Sequence, residues 1–212
     1  MKKDLIIIGA GSVGGFIAIN FEPLSEQYNL LGFLDDDTKK IGNNIFGYPV
    51  LGDIDSIKNY DNINVIIGIA FPEIKKKIID KIGDFKNIDF VSYVSPNSWI
   101  SNKVSMGIGI IIYPNVSINY ETEIKDFVTI NMNCSVGHNT ILSSFSTLAP
   151  NVALAGFTIL KEGVEMGICS CTIQNIRIGS YSKIGGNSII IREIPERVVA
   201  VGSPAKIIQY KD

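Results

Sequence analysis

Residue types that build metal and disulfide sites are scarce in this sequence. It contains one histidine, His138, and three cysteines, none of which form a C-x-x-C pair. Because a zinc site draws on several histidine, cysteine or carboxylate ligands, we expect no metal centre. An odd number of cysteines without a disulfide pattern favours reduced thiols, and we therefore expect a cytoplasmic protein.

Excess charge and long apolar runs are also missing. The sequence has 19 basic and 21 acidic residues and no long run of either sign, which predicts neither a nucleic-acid nor a membrane-surface partner. No apolar run approaches the roughly 18 residues that span a bilayer. The apolar residues 5–8 follow Lys2 and Lys3 but are too few for a signal peptide, and they predict a buried strand instead.

A six-residue period runs through the C-terminal half of the chain. Every sixth residue from Val94 to Ile190 is Ile, Leu, Val or Met, with Thr172 as the one exception. The residue four positions after each of these is small or β-branched. Two inward positions in every six residues are typical of a hexapeptide β-helix. A β-sandwich is the alternative, but its strands are punctuated irregularly, every 8–12 residues or so.

Five glycines follow directly after the large aliphatic residue of their repeat. We expect them to provide positive φ angles and close backbone approach at the corners of the coil. They are Gly107, Gly137, Gly167, Gly179 and Gly185.

The N-terminal residues follow the order strand, glycine-rich turn, helix, strand and acid. The turn over 9–15 separates the strand at 5–8 from a short helix that ends near Pro23, and a second strand over 29–34 leads into Asp35 and Asp36. This is the arrangement of a dinucleotide-binding fingerprint, in which glycines let a phosphate approach the backbone at a helix N-terminus. The two acids either accept hydrogen bonds from a sugar or base, or belong to a solvated turn.

The rest of this region completes only half of a dinucleotide fold. A third strand is predicted over 63–69, a helix over 73–82 and a fourth strand over 90–94. We expect the helix lysines to be solvated, with a phosphate contact as the alternative, and these lysines are Lys75, Lys76, Lys77 and Lys81. The predicted architecture is an α/β half-Rossmann domain over 1–91 followed by a parallel β-helix domain over 92–212.

His138 lies in the middle of the repeats, at a position that is not one of the two inward ones. Its ring should therefore face the surface or a subunit interface, where an imidazole can act as a general base near neutral pH. A coil of three hexapeptides has eighteen residues, so Gly156 should stack one strand spacing, about 4.8 Å, from His138. The Gly156 backbone N–H could then donate to a thioester carbonyl and its developing oxyanion. An ordinary surface histidine is the alternative.

Together these motifs resemble those of a known family. The chain is similar to bacterial sugar acetyltransferases of the left-handed β-helix, or hexapeptide-repeat, superfamily. It is most similar to the branch of nucleotide-amino-sugar N-acetyltransferases and sialic acid O-acetyltransferases. The segments that carry the resemblance are 9–11, 32–36, 47–52, 137–138, 151–156 and 201–206, which closes with Gly202-Ser203-Pro204-Ala205-Lys206.

The resemblance implies an activity, a cosubstrate and a set of site residues. It implies an acetyl-CoA-dependent acetyltransferase, acting in surface-glycan biosynthesis on the amino group of a nucleotide-linked sugar, expected to be UDP-linked. It also implies a homotrimer with acetyl-CoA between adjacent β-helices. The implied catalytic residues are His138, Asn139 and Gly156. The implied acetyl-CoA contacts are Thr147, Ile168, Gly186, Gly202, Ser203, Pro204, Ala205 and Lys206. The implied nucleotide-sugar contacts are Gly9, Gly11, Ser12, Val13, Asp35, Asp36 and Ala70.

Two positions depart from the pattern of the family. Relatives often carry an acid after the histidine, where this chain has Asn139, and some carry a second histidine where it has Thr147. An amide orients an imidazole but does not stabilise its cation by charge. Either the base acts without charge support, or a carboxylate comes from elsewhere in the chain.

Three other functions are compatible with parts of the sequence. O-acetylation of sialic acid or a related sugar would use the same fold with a different acceptor. A nucleotide sensor with the β-helix as a trimeric scaffold would use the N-terminal fingerprint alone. A NAD-dependent dehydrogenase would need a second nucleotide-binding half, for which the chain has no room.

Overall fold

The computed structural model describes residues 1–83, 85 and 88–211. Its contacts divide the chain into two compact units, Met1–Tyr93 and Val94–Asp212, close to the predicted ranges of 1–91 and 92–212. Residue 212 of the second range lies outside the described residues. No helix in the described part of the chain is long and apolar enough to cross a bilayer.

As far as it is described, the first unit contains a six-stranded sheet and two α-helices. Its elements are β1 Lys3–Ile8, α1 Ser12–Ile19, β2 Tyr28–Leu34, β3 Asn44–Ile45, β4 Tyr48–Gly52, β5 Ile63–Ile67, α2 Pro72–Ile82 and β6 Ile88–Phe90, with 3₁₀ turns at Glu22–Leu24 and Ile54–Asn59. The strand order is β3-β4-β2-β1-β5-β6, and only the β3–β4 pair is antiparallel. The chain leaves β1 toward β2 on one side and later returns to β5 on the other. Ligands bind at such a switch point, outside the carboxyl ends of the strands.

Burial explains why residues 5–8 form the central strand. Leu5, Ile6, Ile7 and Ile8 are completely buried, as a strand covered on both faces requires. The predicted strand over 90–94 is wrong, because β6 ends at Phe90 and a separate strand pairs at Tyr93–Val94. The short β3–β4 hairpin was not predicted.

Helix α2 contains a buried lysine that the sequence analysis placed on a solvated face. Lys75 has no exposed surface, and burial lowers the pKa of its ammonium group to about 7. The expected solvated face is therefore wrong for Lys75, although Lys77 is exposed.

The second unit consists of two-residue strands that recur every six residues. They are β7 Tyr93–Val94, β8 Trp99–Ile100, β9 Ser105–Met106, β10 Ile111–Ile112, β11 Ser117–Ile118, β12 Glu123–Ile124, β13 Thr129–Ile130, β14 Ser135–Val136, β15 Ile141–Leu142, β16 Thr147–Leu148, β17 Ala153–Leu154, β18 Ile159–Leu160, β19 Glu165–Met166, β20 Cys171–Thr172, β21 Arg177–Ile178, β22 Lys183–Ile184 and β23 Ile189–Ile190. Each pairs in parallel with the strand eighteen residues away, as Thr129 does with Thr147.

These strands form three sheets, which we call faces. Face 1 contains β7, β10, β13, β16, β19 and β22, face 2 contains β8, β11, β14, β17, β20 and β23, and face 3 contains β9, β12, β15, β18 and β21. The hairpin of β24 Val198–Gly202 and β25 Ala205–Tyr210 extends face 1 beyond β22. The chain turns a corner after every strand, and we name the corners 1–2, 2–3 and 3–1 by the faces they join.

The two inward positions fill the core as the six-residue period predicts. Aliphatic residues such as Ile130, Leu148 and Ile184 stack with at most 1% exposure. The small inward residues have a second role, because their hydroxyls satisfy corner carbonyls three residues earlier. Ser146 Oγ donates to the Ser143 carbonyl at 2.7 Å, and Thr158 Oγ1 donates to the Ala155 carbonyl at 2.7 Å. Small polar residues therefore remove the cost of buried, unpaired carbonyls.

The expected positive φ angles lie at other positions than the five glycines. From Met106 to Ile184, positive φ recurs three residues after the large inward residue of every repeat, at Gly109, Asn115, Glu121, Phe127, Asn133, Asn139, Phe145, Asn151, Phe157, Gly163, Cys169, Asn175, Tyr181 and Asn187. The five glycines instead provide close approach. A Cβ on Gly137 would lie 2.6 Å from the Gly156 nitrogen, and one on Gly179 would lie 2.3 Å from the Glu196 nitrogen.

Candidate active site

His138 lies at corner 2–3, between β14 and β15, and its ring is held by aromatic neighbours. Tyr120, eighteen residues earlier, stacks in parallel on the imidazole with ring centroids 5.2 Å apart. Phe157 contacts it edge-on at 5.0 Å. The ring is half-buried on the outside of the coil, as its position in the repeat predicts.

Gly156 covers the opposite side of the imidazole from Tyr120. A Cβ at Gly156 would lie 2.8 Å from both Cε1 and Nε2 of His138, so only glycine fits beside this ring. The Gly156 carbonyl accepts a hydrogen bond from the Asn175 N–H at 3.1 Å. Within the described ranges of the chain, the Gly156 N–H donates no hydrogen bond. The predicted stacking of an imidazole and a glycine amide is therefore present.

Ala155 explains why this amide has no local acceptor. At the same position of the repeat, Asn119 Oδ1 accepts from the Tyr120 N–H two coils earlier at corner 2–3, and Asn131 Oδ1 accepts from the Met132 N–H at corner 1–2, both at 2.8 Å. Alanine carries no acceptor, so the N–H that follows it stays available to a ligand.

Asn139 links His138 to a carboxylate that the sequence analysis missed. Asn139 Oδ1 lies 2.9 Å from His138 Nδ1, and Asn139 Nδ2 donates to Glu121 Oε2 at 2.8 Å. Glu121 lies eighteen residues before Asn139, one coil away. The eighteen-residue spacing that placed Gly156 beside His138 would have found Glu121 had it been applied backwards from Asn139.

The predicted acetyl-CoA contacts lie elsewhere on the coil. Ile168 and Gly186 stack at corner 1–2, where a Cβ on Gly186 would lie 3.0 Å from Ile168 Cγ2. Thr147 is the outward residue of β16 on face 1. The segment from Gly202 to Lys206 forms the turn of the β24–β25 hairpin. Six residues, about 20 Å of fully extended chain, separate successive corners, so one chain does not bring the Ile168 and His138 sites into contact.

Exposed apolar side chains concentrate around face 2. At least 40% of the side chain is exposed for Met132 and Ile168 at corner 1–2, and for Tyr120, Phe157, Ile173 and Ile191 at corner 2–3. The outward residues of face 2 between these corners are uncharged, namely Trp99, Ser117, Ser135, Ala153, Cys171 and Ile189.

Compared with corners 1–2 and 2–3, corner 3–1 is rich in charged residues, although Ile108 at this corner is apolar and exposed. Its residues include Lys125, Asp126, Lys161 and Glu162. A cavity of about 620 Å³ at this corner is lined by Lys161, Arg177, Gly179, Ser180, Glu193, Ile194, Pro195 and Glu196. It contains none of the predicted site residues.

The first unit has two adjoining cavities at the carboxyl ends of β1, β2 and β5. One of about 200 Å³ is lined by Gly9, Gly11, Ser12, Val13, Asp35, Lys40, Gly68, Ile69, Ala70 and Phe71. The other, of about 330 Å³, is lined by Gly9, Asp35, Asp36, Ile54, Ile69, Ile74, Lys77, Ile78 and Lys81. All seven residues predicted to contact the nucleotide sugar line these cavities.

The acids of this region are hydrogen-bonded rather than left in a solvated turn. Asp35 Oδ2 accepts from the Ala10 N–H at 2.8 Å and pairs with Lys40 Nζ at 2.9 Å. Burial raises the pKa of the Asp35 carboxyl, but the hydrogen bonds from Lys40, Asp37 and Ala10 outweigh it and lower the pKa. Asp36 accepts from the Ile54 N–H at 2.9 Å.

Three lysines in the cavity linings were not predicted as site residues. Lys40, Lys77 and Lys81 place positive charge beside the glycine-rich turn. Helix periodicity gave no signal for Lys77 and Lys81, because exposed lysines look the same on a solvated face and at a cavity mouth, and Lys40 lies in a turn. No group of three potential metal ligands occurs among the residues that the structure describes.

Comparison with known proteins gives matches over both units. Residues 4–82 match the PglD N-terminal domain family. A variant of perosamine N-acetyltransferase from Caulobacter crescentus, solved with CoA and GDP-perosamine, is 25% identical. The alignment covers 97% of each chain, with a TM-score of 0.88. The acetyltransferase domain of PglB from Neisseria gonorrhoeae, solved with acetyl coenzyme A, is 23% identical. It covers 98% of this chain and 100% of that one, with a TM-score of 0.89.

Curated relatives match over shorter segments. The dTDP-3-amino-3,6-dideoxy-alpha-D-galactopyranose 3-N-acetyltransferase of Aneurinibacillus thermoaerophilus is 38% identical over 55 residues, 26% of this chain and 29% of that protein. The serine acetyltransferase of Haemophilus influenzae is 41% identical over 49 residues, 23% of this chain and 18% of that protein. The chain thus spans less than a third of the curated relatives it matches.

The predicted fold class, an N-terminal α/β domain followed by a left-handed β-helix, is confirmed.

Proposed function

Because the chain belongs to the left-handed β-helix sugar acetyltransferases whose N-terminal domain is of the PglD type, we propose that it acetylates the amino group of a nucleotide-linked sugar. The acetyl donor is acetyl-CoA, and the product serves surface-glycan biosynthesis. One observation carries the proposal: the His138 imidazole lies beside the Gly156 N–H at one corner of the coil, and this N–H donates to no acceptor among the described residues. This arrangement suits acyl transfer, which needs a base and an oxyanion donor within reach of one carbonyl.

The proposed mechanism is direct attack without a covalent enzyme intermediate. The sugar amine attacks the thioester carbon while His138 Nε2 removes a proton from the nitrogen. The Gly156 N–H donates to the carbonyl oxygen, and this bond strengthens as negative charge develops there. When the tetrahedral intermediate collapses, the C–S bond breaks and CoA leaves as a thiolate. The imidazolium then returns its proton to the sulfur.

The cavities of the first unit suit the nucleotide part of the acceptor. Backbone amides after Gly9 lie at the start of α1, where a helix N-terminus favours an anion. Lys77 and Lys81 add positive charge for a diphosphate, and Asp35 and Asp36 line the same cavity as candidate acceptors for ribose hydroxyls. We propose UDP as the nucleotide, and GDP and dTDP are the alternatives to test, since the matched proteins include enzymes named for GDP- and dTDP-sugars.

We further propose that the active form is a homotrimer whose site lies between neighbouring chains. Two observations support this arrangement. Two of the predicted acetyl-CoA contacts, Ile168 and Gly186, lie at corner 1–2, whereas the base lies at corner 2–3, and exposed apolar side chains lie at both of these corners. An adjacent chain would place its corner 1–2, with Ile168 and Gly186, against His138. Acetyl-CoA would then contact Thr147, Ile168, Gly186 and the Gly202–Lys206 turn.

The test is product formation by the wild-type chain and by His138→Ala. Mass spectrometry of products from acetyl-CoA and a panel of UDP-, GDP- and dTDP-amino sugars should show N-acetylation of one acceptor class. His138→Ala should lower kcat by at least 10²-fold, the usual contribution of a general base. Ser144→Ala, at the equivalent repeat position of corner 3–1, is the control and should retain wild-type kcat.

Three results would count against the proposal. Transfer within tenfold of wild type by His138→Ala would show that His138 is not the base. Exclusive transfer to hydroxyl oxygen of sialic acid or a related sugar would replace N-acetylation by O-acetylation. Absence of acetyl-CoA binding by calorimetry at millimolar ligand would favour a nucleotide sensor with a scaffolding β-helix.

A further inference from the structure

We propose that Glu121 is a positioning residue that sets the tautomer of His138 through the side-chain amide of Asn139. Its consequence for acetyl transfer rests on the proposed function, whereas the tautomer itself does not. Glu121 and Asn139 occupy the same corner position in successive coils, both with φ of 54°, so their side chains leave the coil side by side. The Asn139 N–H also donates to the Tyr120 carbonyl at 3.1 Å, which fixes the register of the two turns.

The direction of each hydrogen bond follows from what each group can donate. A carboxylate only accepts, so the NH₂ group of Asn139 must face Glu121, at 2.8 Å. The amide oxygen must then face the imidazole, 2.9 Å from His138 Nδ1. Because that oxygen only accepts, Nδ1 must carry the proton. The lone pair of the neutral ring is therefore on Nε2.

This tautomer places the free lone pair where the proposed reaction needs it. Nε2 is the ring nitrogen next to Gly156, since a Cβ at Gly156 would lie 2.8 Å from it. The other groups packed on the ring are Tyr120 and Phe157, which lie against it as aromatic rings. Glu121 is the carboxylate in this network, and it replaces the acid that the position of Asn139 lacks.

Orientation rather than the field of the charge should dominate the effect. Glu121 is exposed and acts across an intervening amide, where water and salt screen its charge. Loss of a fixed amide direction, by contrast, does not depend on salt. We therefore expect the effect of a Glu121 substitution on kcat to persist at 0.5 M salt.

Two substitutions separate the possible roles of Glu121. In Glu121→Gln either end of the new amide can face Asn139, so both His138 tautomers form. The kcat should fall in proportion to the fraction of rings in the inactive tautomer, roughly two- to fivefold, with KM for acetyl-CoA unchanged. In Glu121→Lys the ammonium only donates, so Asn139 turns its oxygen away from the ring and Nε2 carries the proton. This variant should lose about 10²-fold in kcat.

Asn139→Asp provides a rescue that a merely structural role would not show. An aspartate at 139 accepts only, so it holds the proton on Nδ1 whatever residue occupies 121. The Glu121→Gln/Asn139→Asp double variant should therefore recover the kcat of wild type. Asn139→Asp alone should be less active than this double variant, because its carboxylate would face that of Glu121. Glu121→Gln is thus harmful beside Asn139 and beneficial beside an aspartate.

The tautomer is measured directly, because His138 is the single histidine of the chain. Nitrogen-15 NMR of histidine-labelled protein should show the Nδ1–H form in wild type, a mixture in Glu121→Gln and the Nε2–H form in Glu121→Lys. Glu123→Gln, which removes a carboxylate paired with Lys125 in the same coil, is the control and should change neither tautomer nor kcat.

Specific results would overturn the inference. An Nε2–H tautomer in wild type, an unchanged tautomer in Glu121→Lys, or no rescue in the double variant would each do so. The proposed acetyl transfer and the proposed positioning role of Glu121 can also be refuted independently of each other. Wild-type protein that transfers no acetyl group but shows the expected tautomers would overturn the proposed function and support the positioning role.

Discussion

Ala155 contributes to the candidate site through the side chain that it lacks. The corners that contain Asn119 and Asn131 use the asparagine oxygen to accept the next backbone N–H. Ala155→Asn should therefore cap the Gly156 N–H and remove the donor proposed for the thioester oxygen. We expect kcat to fall by about 10²-fold, the usual cost of losing one oxyanion donor. Steady-state kinetics with acetyl-CoA and the identified acceptor measure this loss.

Two control variants show whether the new oxygen causes the loss. Ala155→Leu adds similar volume without an acceptor and should cost much less than Ala155→Asn. Ala149→Asn places the same side chain at the equivalent position before Pro150, which has no N–H to cap. If Ala155→Leu and Ala155→Asn lose equal activity, bulk is responsible and the Gly156 N–H is not the donor.

The sequence allowed backbone neighbours to be predicted better than side-chain partners. An eighteen-residue coil brings His138 beside both Tyr120 and Gly156, because register follows from the repeat alone. The Glu121–Asn139 contact needed the same spacing and also the direction in which both side chains leave the corner. That direction depends on the positive φ of residues 121 and 139, which the sequence analysis had assigned to glycines elsewhere.

Among the elements, α2 contains a group that should make stability depend on pH. Burial lowers the pKa of Lys75 from 10.5 to about 7 in the folded chain. Between these two values the unfolded chain binds the proton and the folded chain does not, so stability should rise with pH in this window and level off below about 7. The slope should approach about 1.4 kcal/mol per pH unit at most.

Lys75→Met tests this assignment. The variant should be more stable than wild type at pH 7.5, by about 1–4 kcal/mol, and should lose most of the pH dependence. Urea unfolding followed by circular dichroism at 222 nm is suitable, because both α-helices lie in the first unit. Lys77→Met, on the exposed side of the same helix, should keep the wild-type slope. A wild-type slope in Lys75→Met would assign the pH dependence to another group.

Elements defined by a strict repeat were easier to predict than elements defined by tertiary packing. Each hexapeptide strand follows from an aliphatic residue in a fixed phase, and the predicted phase holds from β7 to β23. The β3–β4 hairpin and the β24–β25 hairpin have no repeat and little burial on one side. Lys75 was misplaced for a similar reason, since its burial depends on tertiary packing that the helical period does not show.

At the scale of the whole molecule, assembly should depend on face 2. Its outward residues are uncharged and lie between the two corners with exposed apolar side chains. Ser135→Arg would place a charge in the middle of this face, and desolvating an unpaired charge at an interface is costly. We expect wild type to sediment at about three times the chain mass of 23.1 kDa and Ser135→Arg to sediment as a monomer with little acetyl transfer.

Ser105→Arg separates loss of this contact from a general effect of added charge. Ser105 is an exposed outward residue of face 3, so its substitution adds the same side chain outside the proposed contact. It should leave both the trimer and the activity intact. A monomeric wild type that transfers acetyl groups at full rate would show instead that one chain forms the whole site. The residues at corner 1–2 would then have to reach acetyl-CoA across face 2 of the chain that carries the base.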